Sequence, residues 1–156
     1  MGATNAYAAK RAIIDRLAAL AASGGGPLAG VQVAYSWPGK NAEMVCVYLG
    51  RVTFEHPADE ELADGPDSLP KEVATIGLHI SVAQSPPSDD GVRDTDIQAE
   101  EIGDAIGDLL MREPRLAGGH SIARIAAGEG DYIPTDDQAR SVLTLRITVE
   151  SYVEGQ

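Results

Sequence analysis

The sequence predicts an α+β domain of two layers, a mostly antiparallel sheet of about five strands covered on one face by two helices, in the order α-β-β-β-α-β-β. Three observations carry this expectation. Stretches at 4–22 and 95–112 place apolar residues at helical spacing. Segments near 74–82 and 140–153 alternate apolar and polar residues, as half-buried strands do. A chain of 156 residues with one cysteine fits a single domain spanning 1–156. At that size it buries roughly 70% of the surface its unfolded chain exposes, enough for an unaided core.

The first helix starts near Thr4 or Asn5, both competent N-caps, and runs to about Ala22, with Ile13, Ile14, Leu17, Leu20 and Ala21 at helical spacing. SGGGP at 23–27 ends it. No Lys followed by Ser or Thr comes after these glycines and no strand precedes them, so they read as a helix stop rather than a phosphate cradle. Val31–Trp37 reads as a short strand, and SWPGKN as a turn into a second strand over Glu43–Phe54, together a hairpin. Both alternating sets of the second strand are mostly apolar, so both of its faces are expected to be covered.

Residues 55–71, EHPADEELADGPDSLPK, break all periodicity with three prolines and six acids. They read as a long exposed loop, of a length that is uncommon in compact domains and often functional or partner-ordered. Ala74, Ile76, Leu78, Ile80 and Val82 then form one side of a third strand, closed by SPPSDDG. A second helix is expected from about Thr95 to Arg112, with Ile102, Ala105, Ile106, Leu109 and Leu110 on one face and Pro114 beyond its end. Ser121–Ala126 makes a short strand, EGDYIPTDD an irregular excursion, and Arg140–Val153 the clearest strand of the chain.

Charge narrows the function. Twelve basic against twenty-four acidic residues give a net charge of −12. Binding along a phosphate backbone draws its affinity from Lys and Arg displacing counterions, so a gripping nucleic-acid binder is disfavoured. Lys10, Arg11, Asp15 and Arg16 interrupt the apolar pattern of the first residues, leaving neither a signal-peptide core nor a membrane span. Cys46 lies within the apolar run MVCVYL, where it reads as a small buried hydrophobe in a reducing compartment.

The densest candidate site is AEEIGDAIGDLL at 99–110. Glu101, Asp104 and Asp108 share a helix face at i, i+3 and i+7, and Glu100 joins Asp104 at i+4. Such carboxylates suit hard cations, but those sites usually converge ligands from several elements, and no second cluster is visible. A solvated or partner-facing acidic surface is the preferred reading. Gly103 and Gly107 form a smooth strip where another backbone can approach, at about 1 kcal/mol of helix propensity each. Its neighbour is either the domain's own sheet or first helix, which is preferred, or another subunit.

His56, His79 and His120 are not paired at metal-ligand spacing, and no GxSxG, CxxC or HExxH motif is present. No enzyme chemistry, metal or cofactor is therefore expected. Arg51, Arg140 and Arg146 stand out as cations among strand residues. They suit either cross-strand pairing or contact with an acidic neighbour, such as another copy of the chain.

The size, the acidity and the order of elements, from the first helix through REPRLAGGHSIARI to RSVLTLRITVE, resemble the tail terminator proteins of long-tailed bacteriophages, particularly actinobacterial ones. The resemblance is one of element pattern and texture. It implies a structural virion protein, a hexameric ring assembled in the host cytoplasm that caps the tail tube and halts its polymerisation. The implied partners are other copies of itself, the tail tube protein and the head–tail connector protein, with DNA passing through the lumen without specific binding and no membrane involved. In that frame Glu100, Glu101, Asp104, Asp108, Gly103 and Gly107 are expected at the lumen or a subunit interface, and Arg51, Arg140 and Arg146 at inter-subunit or tube contacts. The loop at 55–71 occupies the place of the family's tube-contacting loop. The alternatives are another neck protein, such as a head-closure or tail-completion factor, and a small metal-dependent hydrolase using the acidic helix.

Overall fold

The computed structural model describes residues 4–56, 71–84, 88–118, 121–134 and 138–152. His120 and residues 57–70, most of the expected acidic loop, lie outside them. The described elements are α1 (Ala6–Ala22), β1 (Gln32–Ala34), β2 (Val45–Glu55), β3 (Lys71–Gln84), α2 (Asp89–Arg112), β4 (Ser121–Pro134) and β5 (Ala139–Tyr152). They follow the expected order and form a two-layer α+β fold around one five-stranded sheet, β1-β2-β3-β5-β4.

β3 lies at the centre because its alternation lets it bury one complete side. Ala74, Ile76, Leu78, Ile80 and Val82 turn toward the helices and are all buried. They pack with Ile13 and Leu17 of α1 and with Ile102, Ile106 and Leu109 of α2 in a single core. α1 packs across β1 and β2 and α2 across β3 and β5, so both helices lie on one side of the sheet. Their ends are joined by a bidentate pair, in which Arg16 donates from Nε and Nη2 to the Glu113 carboxylate at 3.0 and 2.8 Å. The same pair holds the Glu113 carboxyl below its ordinary range.

The start of α1 is built from distant sequence. Thr4 Oγ1 accepts from the Ala6 amide at 2.9 Å, and Glu72 Oε1 accepts from the Asn5 amide at 3.0 Å. Glu72 is buried, and its other oxygen lies 3.0 Å from His56 Nε2. A carboxylate at this end of a helix is stabilised by the unsatisfied amides there.

Three expectations about boundaries are corrected. The first two strands do not form a hairpin: β1 runs parallel to β2, with Gln32 opposite Cys46 and Ala34 opposite Tyr48. The connection contains a 3₁₀ turn at Gly39–Asn41 and Gly39 at φ +66°, which bring the chain back to the end where β1 began. Gln32 secures this connection by donating to the Asn41 carbonyl and accepting from the Glu43 amide.

The second helix begins at Asp89 rather than Thr95. Ser88 is its N-cap, with Oγ accepting from the Gly91 amide, so residues 88–91 start the helix six residues before Thr95.

The strand expected to end at Ala126 continues to Pro134. It pairs with β5 throughout, apart from a bulge between Ile125 and Ala127. Continuous pairing with β5 overrides the weak strand preference of Gly128-Glu129-Gly130.

Candidate functional site

The stripe of acids on α2 forms one wall of an open groove. Ala99, Ile102, Ile106 and Leu109 are buried against the sheet, which turns the opposite edge of the helix toward β4. The wall carries Asp96, Glu100, Asp104 and Asp108, successive residues at i+4. Like charges at that spacing each oppose the helix by roughly 0.2–0.5 kcal/mol, so the stripe is not there for helix stability. Among the described residues, α2 holds eight acidic and two basic residues, a net −6 and half of the chain's −12.

The floor of the groove is apolar, formed by Leu143 and Leu145 of β5 and Ile125 of β4. Tyr132 and Asp131 stand on the far side, with Met111 at one end. The groove encloses about 960 Å³. It exists because the helix-facing positions of outer β4 are Gly128 and Gly130, where other strands carry branched apolar side chains. A Cβ added at Gly130 would meet nothing within 4 Å.

The sequence-selected residues divide accordingly. Glu100, Asp104 and Asp108 share the groove wall, whereas Glu101 is exposed and does not line it. Gly103 packs against the domain's own sheet, where an added Cβ would lie 3.0 Å from Leu143 Cδ2 and 3.6 Å from Ile80 Cδ1. Gly107 lies beside Ile125. Sequence reading missed Asp96, although its i−4 relation to Glu100 was a usable signal. It also missed the β4 wall, because Gly130 and Tyr132 fell in a segment expected to be irregular. Among the described residues no three His, Cys, Asp or Glu side chains gather as a metal site would require.

The arginines lie on the other side of the sheet and have different neighbours. Arg140 donates from Nη1 to Ser81 Oγ at 2.8 Å and lies 5.3 Å from the Trp37 ring centroid. Arg146 approaches Glu129 at 3.6 Å, both more than half exposed, a pair worth little. Arg51 lies in the β2 irregularity between Leu49 and Val52, its backbone beside Gly77, exposed and without an ion pair among the described residues.

Beside Arg140 runs an aromatic row. Trp37 lies 5.0 Å from Tyr48, Tyr48 stacks on His79 at 4.9 Å, and His79 Nδ1 is 2.8 Å from Thr144 Oγ1. Burial lowers the His79 pKa and raises those of Tyr48 and the fully buried Cys46. A raised thiol pKa reduces the thiolate available for nucleophilic chemistry. The row and Cys46 therefore have the character of packing.

No known family model matches the chain, and no characterised protein matches it in sequence.

Proposed function

We propose that the protein is a structural ring subunit of the tail terminator type, which caps a phage tail tube, ends its polymerisation and joins the tail to the head connector while DNA passes through the lumen. The observation that supports this reading is the β4 edge. β4 is 14 residues long and has β5 as its single ladder partner among the described residues. Its outer half is exposed, as are Ile122, Tyr132 and Ile133.

An edge of that length is a template for another chain unless something covers or blunts it. Here the bulge, Glu129 and Asp131 discourage indiscriminate pairing and leave room for a specific partner. The opposite edge is the three-residue β1, so the two edges are unlike. Contacts between unlike patches propagate head to tail and close into a ring when the rotation permits. The acids of α2 would face the lumen or the next subunit, where a negative surface lets phosphates slide rather than stick.

The test is the solution mass by light scattering behind size exclusion, with and without tail tube protein. A ring-sized species, alone or on tube ends, is expected. A monomer at every concentration, indifferent to tubes, would remove the reading.

A further inference from the structure

We infer that the groove between α2 and β4 is a docking site for a cationic amphipathic helix contributed by a different protein. A helix with its side chains is about 10 Å across and strands lie about 4.8 Å apart, so each helix roofs roughly two strands. α1 roofs β1 and β2, α2 roofs β3 and β5 and reaches the inner end of β4 at Ala123, and outer β4 is left uncovered. The groove is the strip that a third helix, lying alongside α2, would occupy.

Charge and surface specify the rest of the occupant. Asp96, Glu100, Asp104 and Asp108 repeat every four residues along one wall, and the floor of Leu143, Leu145 and Ile125 is apolar. A helix with Lys or Arg at i, i+4 and i+8 on one flank and large apolar residues on the next meets both at once. It also relieves the like-charge spacing that α2 endures alone. Phosphate and anionic lipid surfaces are repelled by the same wall.

A second copy of this chain fits poorly. Its cationic helix α1 has Lys10 buried with Nζ 4.3 Å over the Tyr35 ring and Arg16 bound to Glu113, leaving Arg11 as its one exposed cation. An extended peptide would add to the β4 edge instead of filling the groove. The inference does not rest on pairing at the β4 edge, but it does assign the acids of α2 to a partner helix in place of the next subunit.

The test uses three labelled synthetic peptides of about 18 residues, roughly 27 Å as a helix. One is amphipathic with Lys on its polar flank and Leu on its apolar flank; the second replaces Lys by Glu; the third keeps the Lys and Leu content but scrambles the helical pattern. Each is titrated with the whole protein by fluorescence anisotropy, and helix formation is followed by circular dichroism.

Binding of the first peptide alone, gaining helicity and weakening with salt, is expected. The double variant Glu100→Lys, Asp104→Lys should weaken it roughly tenfold or more, as rim charge reversal opposes a cation. Gly130→Trp should do the same by filling the groove from β4, where the glycine φ is not positive. Both variants change exposed positions, and thermal unfolding checks that they fold. Equal binding of patterned and scrambled cationic peptides would reduce the site to a charged surface and overturn the inference. So would binding of the anionic peptide, unchanged affinity in folded Gly130→Trp, or no binding by any peptide. A ring that forms normally while the peptides fail to bind would overturn this inference and leave the proposed function standing.

Discussion

The helix side of the sheet has two unlike halves. Over β2, β3 and the inner half of β5, branched apolar side chains meet α1 and α2 and nearly every one is buried; over outer β4, glycines replace them, the helix beyond carries carboxylates, and the surface stays open. Both halves belong to one sheet, with pairing that runs from β3 through β5 to β4 and is interrupted by the bulge between Ile125 and Ala127. Backbone hydrogen bonding alone therefore does not decide where a core forms. The side chains offered to the helix layer decide it, and outer β4 is held in place by its ladder to β5 rather than by burial.

Truncation in each half separates the two most clearly. Leu78→Ala, in the middle of the sealed half, is expected to cost about 2–5 kcal/mol, because Leu78 is fully buried in the core that the sheet shares with both helices and the surroundings can collapse only partly around the cavity. Tyr132→Ala on the helix side of outer β4 is expected to cost about 1 kcal/mol or less, since much of that side chain is already in water. Urea unfolding of the two variants measures both. Equal losses would mean that β4 contributes to the core after all.

Next in size is the buried carboxylate that anchors α1. Glu72→Ala leaves the Asn5 amide and His56 without their partner and is expected to cost about 1.5–3 kcal/mol, the range for hydrogen bonds to charged groups. Glu72→Gln, which keeps an acceptor for the amide, should lose less. Amide exchange in the first turn of α1 would rise in both, more in the alanine variant.

The other side of the sheet adds a pH dependence through His79. Burial against Tyr48 lowers the His79 pKa below its ordinary 6.5, so the fold favours the neutral ring. The unfolded chain then binds more protons than the folded one just below pH 6.5, and stability must rise with pH in that window. His79 contributes fully above 6.5, and the contribution is lost as pH falls toward the lowered value. The carboxylates Glu113 and Glu150, lowered by Arg16 and Lys71, act in a separate window below 4.5. Urea midpoints at about pH 7.5 and 5.5 should differ more for the wild type than for His79→Asn; equal differences would assign the dependence elsewhere.

How much of this was legible in the sequence follows the same division. The central strand and both helices were readable because burial on one side writes a period into the residues, as Ala74 to Val82 and Ile102 to Leu110 show. Outer β4 was not, because a strand exposed on both sides has no period to write; only its partner β5 reveals it. The parallel course of β1 depends on Gln32 reaching Asn41 and Glu43, a contact invisible to spacing. The acids of α2 were legible as a cluster, and the groove they wall was not, since it is defined by what β4 lacks.

The smallest expected effect tests the seam between the two halves, where Gly103 and Gly107 sit one helical turn apart. Each glycine costs the helix about 1 kcal/mol relative to alanine, so alanine gains that amount wherever space allows. At Gly107 the added methyl meets Ile125 Cδ1 at 3.6 Å, an ordinary contact, and Gly107→Ala should raise stability by about 0.5–1 kcal/mol. At Gly103 it meets Leu143 Cδ2 at 3.0 Å, so part of the gain is spent pushing that side chain toward the groove, and the net change should lie near zero. Thermal melts resolve the difference. Equal gains at both positions would mean that Leu143 moves freely, and the seam would then belong to the open half; a loss at Gly107 would place it inside the sealed one.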